Sequence, residues 1–347
     1  MRLLQVMASN KQGGAELFFS RLCRALATAG VQQQVALRHD ADCRAELQRD
    51  GIPIEELPFL FSGDPFTRWQ VGRLARRFAP DAVLSWMSRG AAACPRGAFV
   101  HIGRLGGYYD LKYYRTCDHL IGNTEDIVRY LVDRGWPAER AHYLPNFVEE
   151  SPAEPVSRQS LDTPERVPVL LALGRLHSDK AFDVLLNALA LLPGVYLWLA
   201  GDGPLKDRLT AQSDALGVAP RVRFLGWRPD SGALLEAADI LVCPSRIEPL
   251  GNVVLEGWVH RRPVVAAASS GPKVLIEHGR SGLVVPMEDA PALAEAIRAV
   301  LNDGRLAASL AQGGYDRYRS RFSRDAVVGR YLQFFEKVTG KCAALPA

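Results

Sequence analysis

Short apolar runs alternate with helical patterns along the whole chain, and this rhythm narrows the fold more than any other feature. In the second half the runs are "VPVLLALGR", "VYLWLAGDG", "VRFLGW", "ILVCPS", "PVVAAAS" and "GLVVP". Helical patterns lie between them, near 179–192, 205–217, 231–238, 252–260 and 289–303. A continuous apolar strand is one buried on both faces, and strands separated by helices run parallel. Six such strands with five interleaved helices predict a doubly wound sheet.

The first half repeats the pattern with "RLLQVMAS", "QQQVALR", "DAVLSWMS", "AFVHIG" and "DHLIGNT" as strands. Positions 15–29 read as a helix whose Phe18, Leu22, Ala25, Leu26 and Ala29 share one face. The segment "NFVEESPAEPVSRQSLDTPERV" turns polar without periodicity and reads as a linker. The tail "RFSRDAVVGRYLQFFEKV" reads as a helix, with Ser323 as its cap and Val327, Val328, Tyr331, Phe335 and Val338 as its buried stripe. The fold class is therefore α/β, with two Rossmann-like domains facing a central cleft. The expected organisation is residues 1–149 as a first domain, 150–166 as a linker, 167–322 as a second domain, and 323–341 as a helix crossing back to the first. A length of 347 residues agrees with two domains.

Composition excludes several classes. A net charge of +4, with neither half polarised, lacks the concentrated basic face of a nucleic-acid binder. The six cysteines have no metal-type spacing and read as buried free thiols in a reducing compartment. The N-terminus reads as a strand rather than a signal peptide, and no apolar run is long enough to span a membrane. The expected location is cytoplasmic. "RWQVGRLARRFAP" can form a basic amphipathic helix able to rest on anionic lipid, although an ordinary exposed helix explains it too.

In open α/β sheets, ligands bind outside the carboxyl ends of the strands. Arg175 and Lys180 follow one such end, in "GRLHSDK", and two cations there suit an anion. Gly13 and Gly14 follow the first strand, where a backbone without Cβ allows close approach, or simply a tight turn. Glu248 and Glu256, in "EPLGNVVLE", lie either side of Gly251. Asn252 reads as a helix cap, with Val254, Leu255 and Trp258 facing the core, so Glu256 turns to another face. The carboxylates could serve a ligand, or one could favour its helix while the other is solvated.

These residues resemble the retaining GT-B glycosyltransferases of family 4, the group 1 glycosyl transferases. "GRLHSDK" resembles the family's donor-phosphate loop, "GDGPL" its glycine turn, "EPLGNVVLE" its E-x7-E signature and "HGRSGLVV" its late strand entry, all within 165–300. "GGAE" and "HYLPNFVE" match in the first half. The resemblance implies transfer of a sugar from a UDP-, GDP- or ADP-linked donor to a glycan or lipid-linked acceptor, as in lipopolysaccharide or polysaccharide synthesis. It implies neither a cofactor nor a metal. The sequence's DxD, Asp40 and Asp42, reads as a helix start. Peripheral contact with the inner membrane would suit such an acceptor.

By the same resemblance, Arg175 and Lys180 neutralise the diphosphate, Glu256 holds the ribose, and Glu248 contacts the donor sugar. Pro249, Leu250, Gly251, Asn252 and Val253 line the sugar and phosphates, Trp227 and Arg228 flank the base, and Gly14 admits the diphosphate. His101 stands near the family's donor-sugar histidine, but no Asp follows it. Arg104, Tyr108 and Tyr109 are placed toward the acceptor. Ala181 and Val274 depart from a common Gly and Glu. A sugar-nucleotide epimerase or hydrolase of the same architecture, or a non-catalytic homologue that binds a sugar nucleotide, are the alternative readings.

Overall fold

A computed structural model describes residues 1–9, 13–39, 41–150 and 152–342. Asp40 of the DxD lies outside the described residues. The chain divides into two compact units, residues 1–147 with the C-terminal helical tail from Ser323, and residues 148–322.

The first unit carries strands β1 (Arg2–Met7), β2 (Gln32–Arg38), β3 (Ile54–Leu57), β4 (Ala82–Trp86), β5 (Val100–Leu105), β6 (His119–Gly122) and β7 (Ala141–Tyr143). They form one parallel sheet in the order β3-β2-β1-β4-β5-β6-β7. The second unit carries β8 (Val169–Leu173), β9 (Tyr196–Ala200), β10 (Val222–Gly226), β11 (Ile240–Cys243), β12 (Val264–Ala267) and β13 (Leu283–Val285). Their order is β10-β9-β8-β11-β12-β13, again parallel. Each sheet reverses its winding once, between β1 and β4 in the first and between β8 and β11 in the second.

The apolar runs are buried because helices cover both faces. Leu170, Leu197 and Val242 pack into one core layer of the second unit, while Leu171, Trp198 and Leu241 pack into another. The short helix Asn252–Val259 buries Trp258 completely, and the indole N–H donates to the Ser281 carbonyl at 2.7 Å. Gly314 of the helix Gly304–Arg321 lets that helix lie on the indole, since a Cβ there would stand 2.3 Å from the ring. The C-terminal helix Arg324–Thr339 starts at Ser323, whose hydroxyl accepts from the Ala326 N–H. It buries Val327, Tyr331 and Phe335 in the core of the first unit with Phe18 and Leu22.

Two expectations need correcting. Residues 150–166 belong to the second unit: the Val156 N–H bonds the Ala233 carbonyl, and Arg158 bonds the Ala237 carbonyl and Asp239. Gly251, not Asn252, caps the helix Asn252–Val259, in a left-handed conformation at φ 86° with no side-chain capping bond. Among the described residues, no helix is long and apolar enough to cross a membrane.

Candidate functional site

The second sheet reverses its winding between β8 and β11, so the loops after these two strands lie at the usual ligand position of an open α/β sheet. Those are the loops that hold Arg175–Lys180 and Glu248–Gly251. Arg246 ties them together. Its guanidinium grips the Asp183 carboxylate with two bonds of 2.8 and 2.7 Å and donates to the Ser178 carbonyl at 2.8 Å. The Arg246 and Ile247 N–H groups both bond the Asp179 carbonyl. Hydrogen bonds donated to Asp183 first, and to Glu288 next, raise the Arg246 pKa further above its ordinary value.

Lys180 forms an ion pair with Glu248. The ammonium is 22% and the carboxylate 11% exposed, so solvent screens the pair weakly. Burial alone would lower the Lys180 pKa, but the charge of Glu248 and its hydrogen bond outweigh burial and raise it. The other oxygen of Glu248 accepts from the Gly251 N–H at 3.3 Å. The left-handed Gly251 therefore folds the loop back over its own glutamate, a conformation that favours glycine. Beneath the pair, the buried Cys243 thiol is pushed up to about 11, by burial first and then by the charge of Glu248.

The glycines of "GDGPL" have a packing role. The Leu176 N–H bonds the Asp202 carbonyl at 2.9 Å and the Gly174 N–H bonds the Ala200 carbonyl at 3.0 Å. A Cβ on Gly201 would stand 1.9 Å from the Gly174 carbonyl oxygen, and one on Gly203 would stand 2.6 Å from that of Leu176. The loop after β9 thus braces the Arg175 loop. Arg175 itself is exposed. Glu256 is half-buried, one turn into its helix, with Asn252 and Val253 at the helix start. Pro249 is half-buried and Leu250 buried. After β10, Trp227 is 64% exposed and Arg228 chelates Asp230 at 2.8 and 2.6 Å.

The first unit divides the expected residues differently. β5 begins at Val100, so His101 sits at the amino end of its strand rather than the carboxyl end. It is 1% exposed, its Nε2 lies 2.9 Å from the Ser85 hydroxyl, and burial pulls its pKa down to about 4. His101 is a neutral core residue, not a ligand-facing one. Arg104 is also corrected. Its guanidinium is buried between the rings of Phe18 and Trp86, and donates to the Tyr331 hydroxyl and to Asn146. It anchors the C-terminal helix and is 2% exposed, so it does not present its charge to an acceptor. Tyr108 is exposed, with its hydroxyl on Asp126. Gly14 is the exposed first residue of the helix Gly14–Thr28.

Tyr109 does face a cavity, of about 500 Å³, at the carboxyl edge of the sheet beside β1, β2 and β4. Arg38, Ser88, Arg89 and Tyr113 line it as well. Sequence reasoning passed over these four. Ser88 and Arg89 follow "VLSWM" just as Arg175 follows "LLALG", so the same rule of position could have found them. Among the described residues no three His, Cys, Asp or Glu side chains are placed to hold a metal ion.

Comparison with known proteins bears on this arrangement. Residues 167–303 match the family described as glycosyl transferases group 1, and residues 12–151 match glycosyltransferase family 4. The lipopolysaccharide core biosynthesis glycosyltransferase LpsE of Rhizobium meliloti (strain 1021) is 39% identical over 328 residues, covering 93% of this chain and 96% of the relative. LpsD of the same organism, which shares that description, is 35% identical over 95% of this chain and 97% of its own length. The crystal structure of Anabaena Alr3699/HepE in complex with UDP-glucose superposes with a TM-score of 0.83 at 23% identity, covering 97% of this chain and all of that one.

Proposed function

The chain belongs to the group 1 glycosyltransferases of the GT-B fold, and from that premise we propose that it moves a sugar from a nucleotide-diphosphate donor to a lipopolysaccharide core acceptor, with retention at the anomeric carbon. One observation supports this most: the Lys180 loop and the Glu248 loop meet at the winding reversal of the second sheet, stapled by Arg246. The two Rhizobium relatives act, by their names, in lipopolysaccharide core synthesis, and the Anabaena protein binds UDP-glucose.

The residues take these roles. Arg175 and Lys180 neutralise the diphosphate. Glu248 accepts from hydroxyls of the donor sugar, while the N–H groups at Gly251, Asn252 and Val253 line sugar and phosphate. Glu256 accepts from the ribose hydroxyls, a bidentate task suited to a carboxylate. Trp227 and Arg228 flank the base. Without donor, Lys180 and Glu248 satisfy each other. The donor divides them, phosphate taking the ammonium and sugar hydroxyls the carboxylate. When the anomeric C–O bond breaks, its electrons leave with the diphosphate, and fixed cations stabilise that growing charge. The acceptor hydroxyl attacks from the face the diphosphate leaves and passes its proton to the departing phosphate. No metal takes part in this scheme.

We place the reaction in the cytoplasm, with peripheral contact to an anionic membrane through the helix Pro65–Phe78. Phe66 and Trp69 of that helix stack at 6.3 Å and are 57% and 55% exposed. Arg68, Arg76 and Arg96 line a neighbouring groove of about 910 Å³. Flotation with acidic vesicles tests this contact: a W69S/R76S variant should stay with the soluble fraction.

The transfer reaction is tested by incubating UDP-, GDP- and ADP-sugars with lipopolysaccharide from cells that lack the protein, in EDTA, and reading the new linkage by NMR. An α-linked donor should give an α-linked product. An inverted product, or a requirement for added metal, would overturn the scheme. Release of free sugar or an epimer without acceptor would favour a hydrolase or epimerase.

A further inference from the structure

The donor scheme leaves the 500 Å³ cavity of the first unit unused. We propose that Arg38 and Arg89 form an anion-recognition site there, so that the acceptor is a sugar bearing a carboxylate or phosphate beside the hydroxyl that receives the donor sugar; this rests on the transferase reading above.

Position is the first support. β1 and β4 are neighbours in the sheet, so this is the point where the first sheet reverses its winding, the usual place for a ligand. Arg38 is the last residue of β2, and Arg89 is the third residue after β4.

Charge is the second support. Both arginines are half-buried, and neither has an acidic partner among the described residues. Some arginines of this unit do have one: Arg24 pairs with Asp50, Arg44 with Glu56, and Arg73 and Arg77 with Glu55. Among the described residues, no acidic side chain lines the cavity. Two guanidinium groups in one partly dried cavity repel each other and lose hydration. A bound oxyanion removes both costs, and its planar or trigonal oxygens match the fork of arginine N–H donors.

The third support is that the arginines are held in place and accompanied by neutral hydroxyls. Met87 is left-handed at φ 57°, a costly conformation for a residue with a Cβ, and it turns the chain so that Ser88 and Arg89 come to the cavity. Gly90 locks that turn onto β1, since a Cβ there would stand 2.8 Å from the Val6 carbonyl oxygen. Tyr109 and Tyr113 add hydroxyl groups and ring faces suited to a pyranose. Burial raises the Tyr109 pKa, which keeps its hydroxyl protonated as a donor.

The experiment measures transfer onto three acceptors made from lipopolysaccharide of cells lacking the protein: native, dephosphorylated, and carboxyl-reduced. One of the two treatments should raise the acceptor KM at least tenfold, and which one does so identifies the anion. With native acceptor, R38Q and R89Q should each raise KM at least tenfold, R38K and R89K less. With the anion-free acceptor, the Gln variants should match wild type. R49Q, at the exposed end of the helix Arg44–Arg49 and away from both cavities, serves as the control and keeps the wild-type acceptor KM. Melting temperatures and calorimetric donor binding show whether each variant is folded.

Equal use of all three acceptors by the wild type, or unchanged acceptor KM in folded R38Q and R89Q, would overturn the anion site while leaving the transferase reading intact. Absence of transfer from every nucleotide sugar to native acceptor would instead overturn the transferase reading, and this site with it.

Discussion

The Lys180–Glu248 pair makes a quantitative prediction. Glu248→Ala leaves an ammonium that is only 22% exposed without its counter-charge, and frees the Gly251 N–H. Breaking a fully buried pair costs about 3–5 kcal/mol. The residual exposure of both groups reduces that to roughly 2 kcal/mol here. Lys180→Met should cost a similar amount, because the carboxylate is then the orphan. The double variant Lys180→Met, Glu248→Leu removes both charges, so the single effects should fail to add by about 1–3 kcal/mol. For a unit spanning residues 148–322, 2 kcal/mol corresponds to roughly 4–8 °C in Tm. Because two units need not unfold together, native-state hydrogen exchange at β8 and β11 is the better assay. Protection there should fall in each single variant and recover substantially in the double. Additivity within about 0.3 kcal/mol would refute the pairing.

Three further outcomes follow from the packing and the charges. Gly201→Ala places a methyl 1.9 Å from a carbonyl oxygen at φ 151°, so it should cost more than about 3 kcal/mol or prevent folding, whereas Gly217→Ala, at φ 67° with open space around it, should cost only about 1–2 kcal/mol by thermal unfolding. Arg104→Ala should destabilise the first unit by about 3 kcal/mol, measured in urea, because it removes two buried hydrogen bonds and two ring contacts; a folded variant defective only in acceptor KM would restore the acceptor role. His101 and His142 are both held down to about 4, chiefly by burial, against an ordinary value near 6.5. Below pH 6.5 the unfolded chain takes up protons that the folded chain refuses, so stability is full above that pH and falls as pH drops toward about 4. His101→Gln should flatten that loss, as read by Tm against pH.

The sequence and the structure agree best where the chemistry is local. All six strands of the second sheet were legible, because burial on both faces makes each a continuous apolar run. In the first sheet, β3 ("IEEL") and β7 ("AHY") were missed, since edge strands are short and carry polar residues. Arg175, Lys180, Glu248 and Glu256 could be placed at strand ends by position alone. Their mutual contacts could not: Lys180 and Glu248 are 68 residues apart, and Arg246 and Asp183 are 63. The error at His101 came from a boundary. "AFVHIG" seemed to end at Gly103, but β5 runs to Leu105, which moves His101 to the strand's beginning and carries Arg104 into the core. The arginine cavity was invisible for a related reason, since Arg38 and Arg89 lie on separate strand ends that only the sheet order brings together.

Donor binding measured by titration calorimetry tests the central claim most directly. A panel of UDP-, GDP- and ADP-sugars is titrated into the wild type and into Arg175→Ala, Lys180→Ala and Glu256→Ala. One base should bind the wild type at micromolar to millimolar Kd, and each variant should weaken that binding at least tenfold, or about 1.4 kcal/mol. A wild type that binds none of them, or variants that all bind as the wild type does, would contradict the assignment of these loops to a nucleotide sugar.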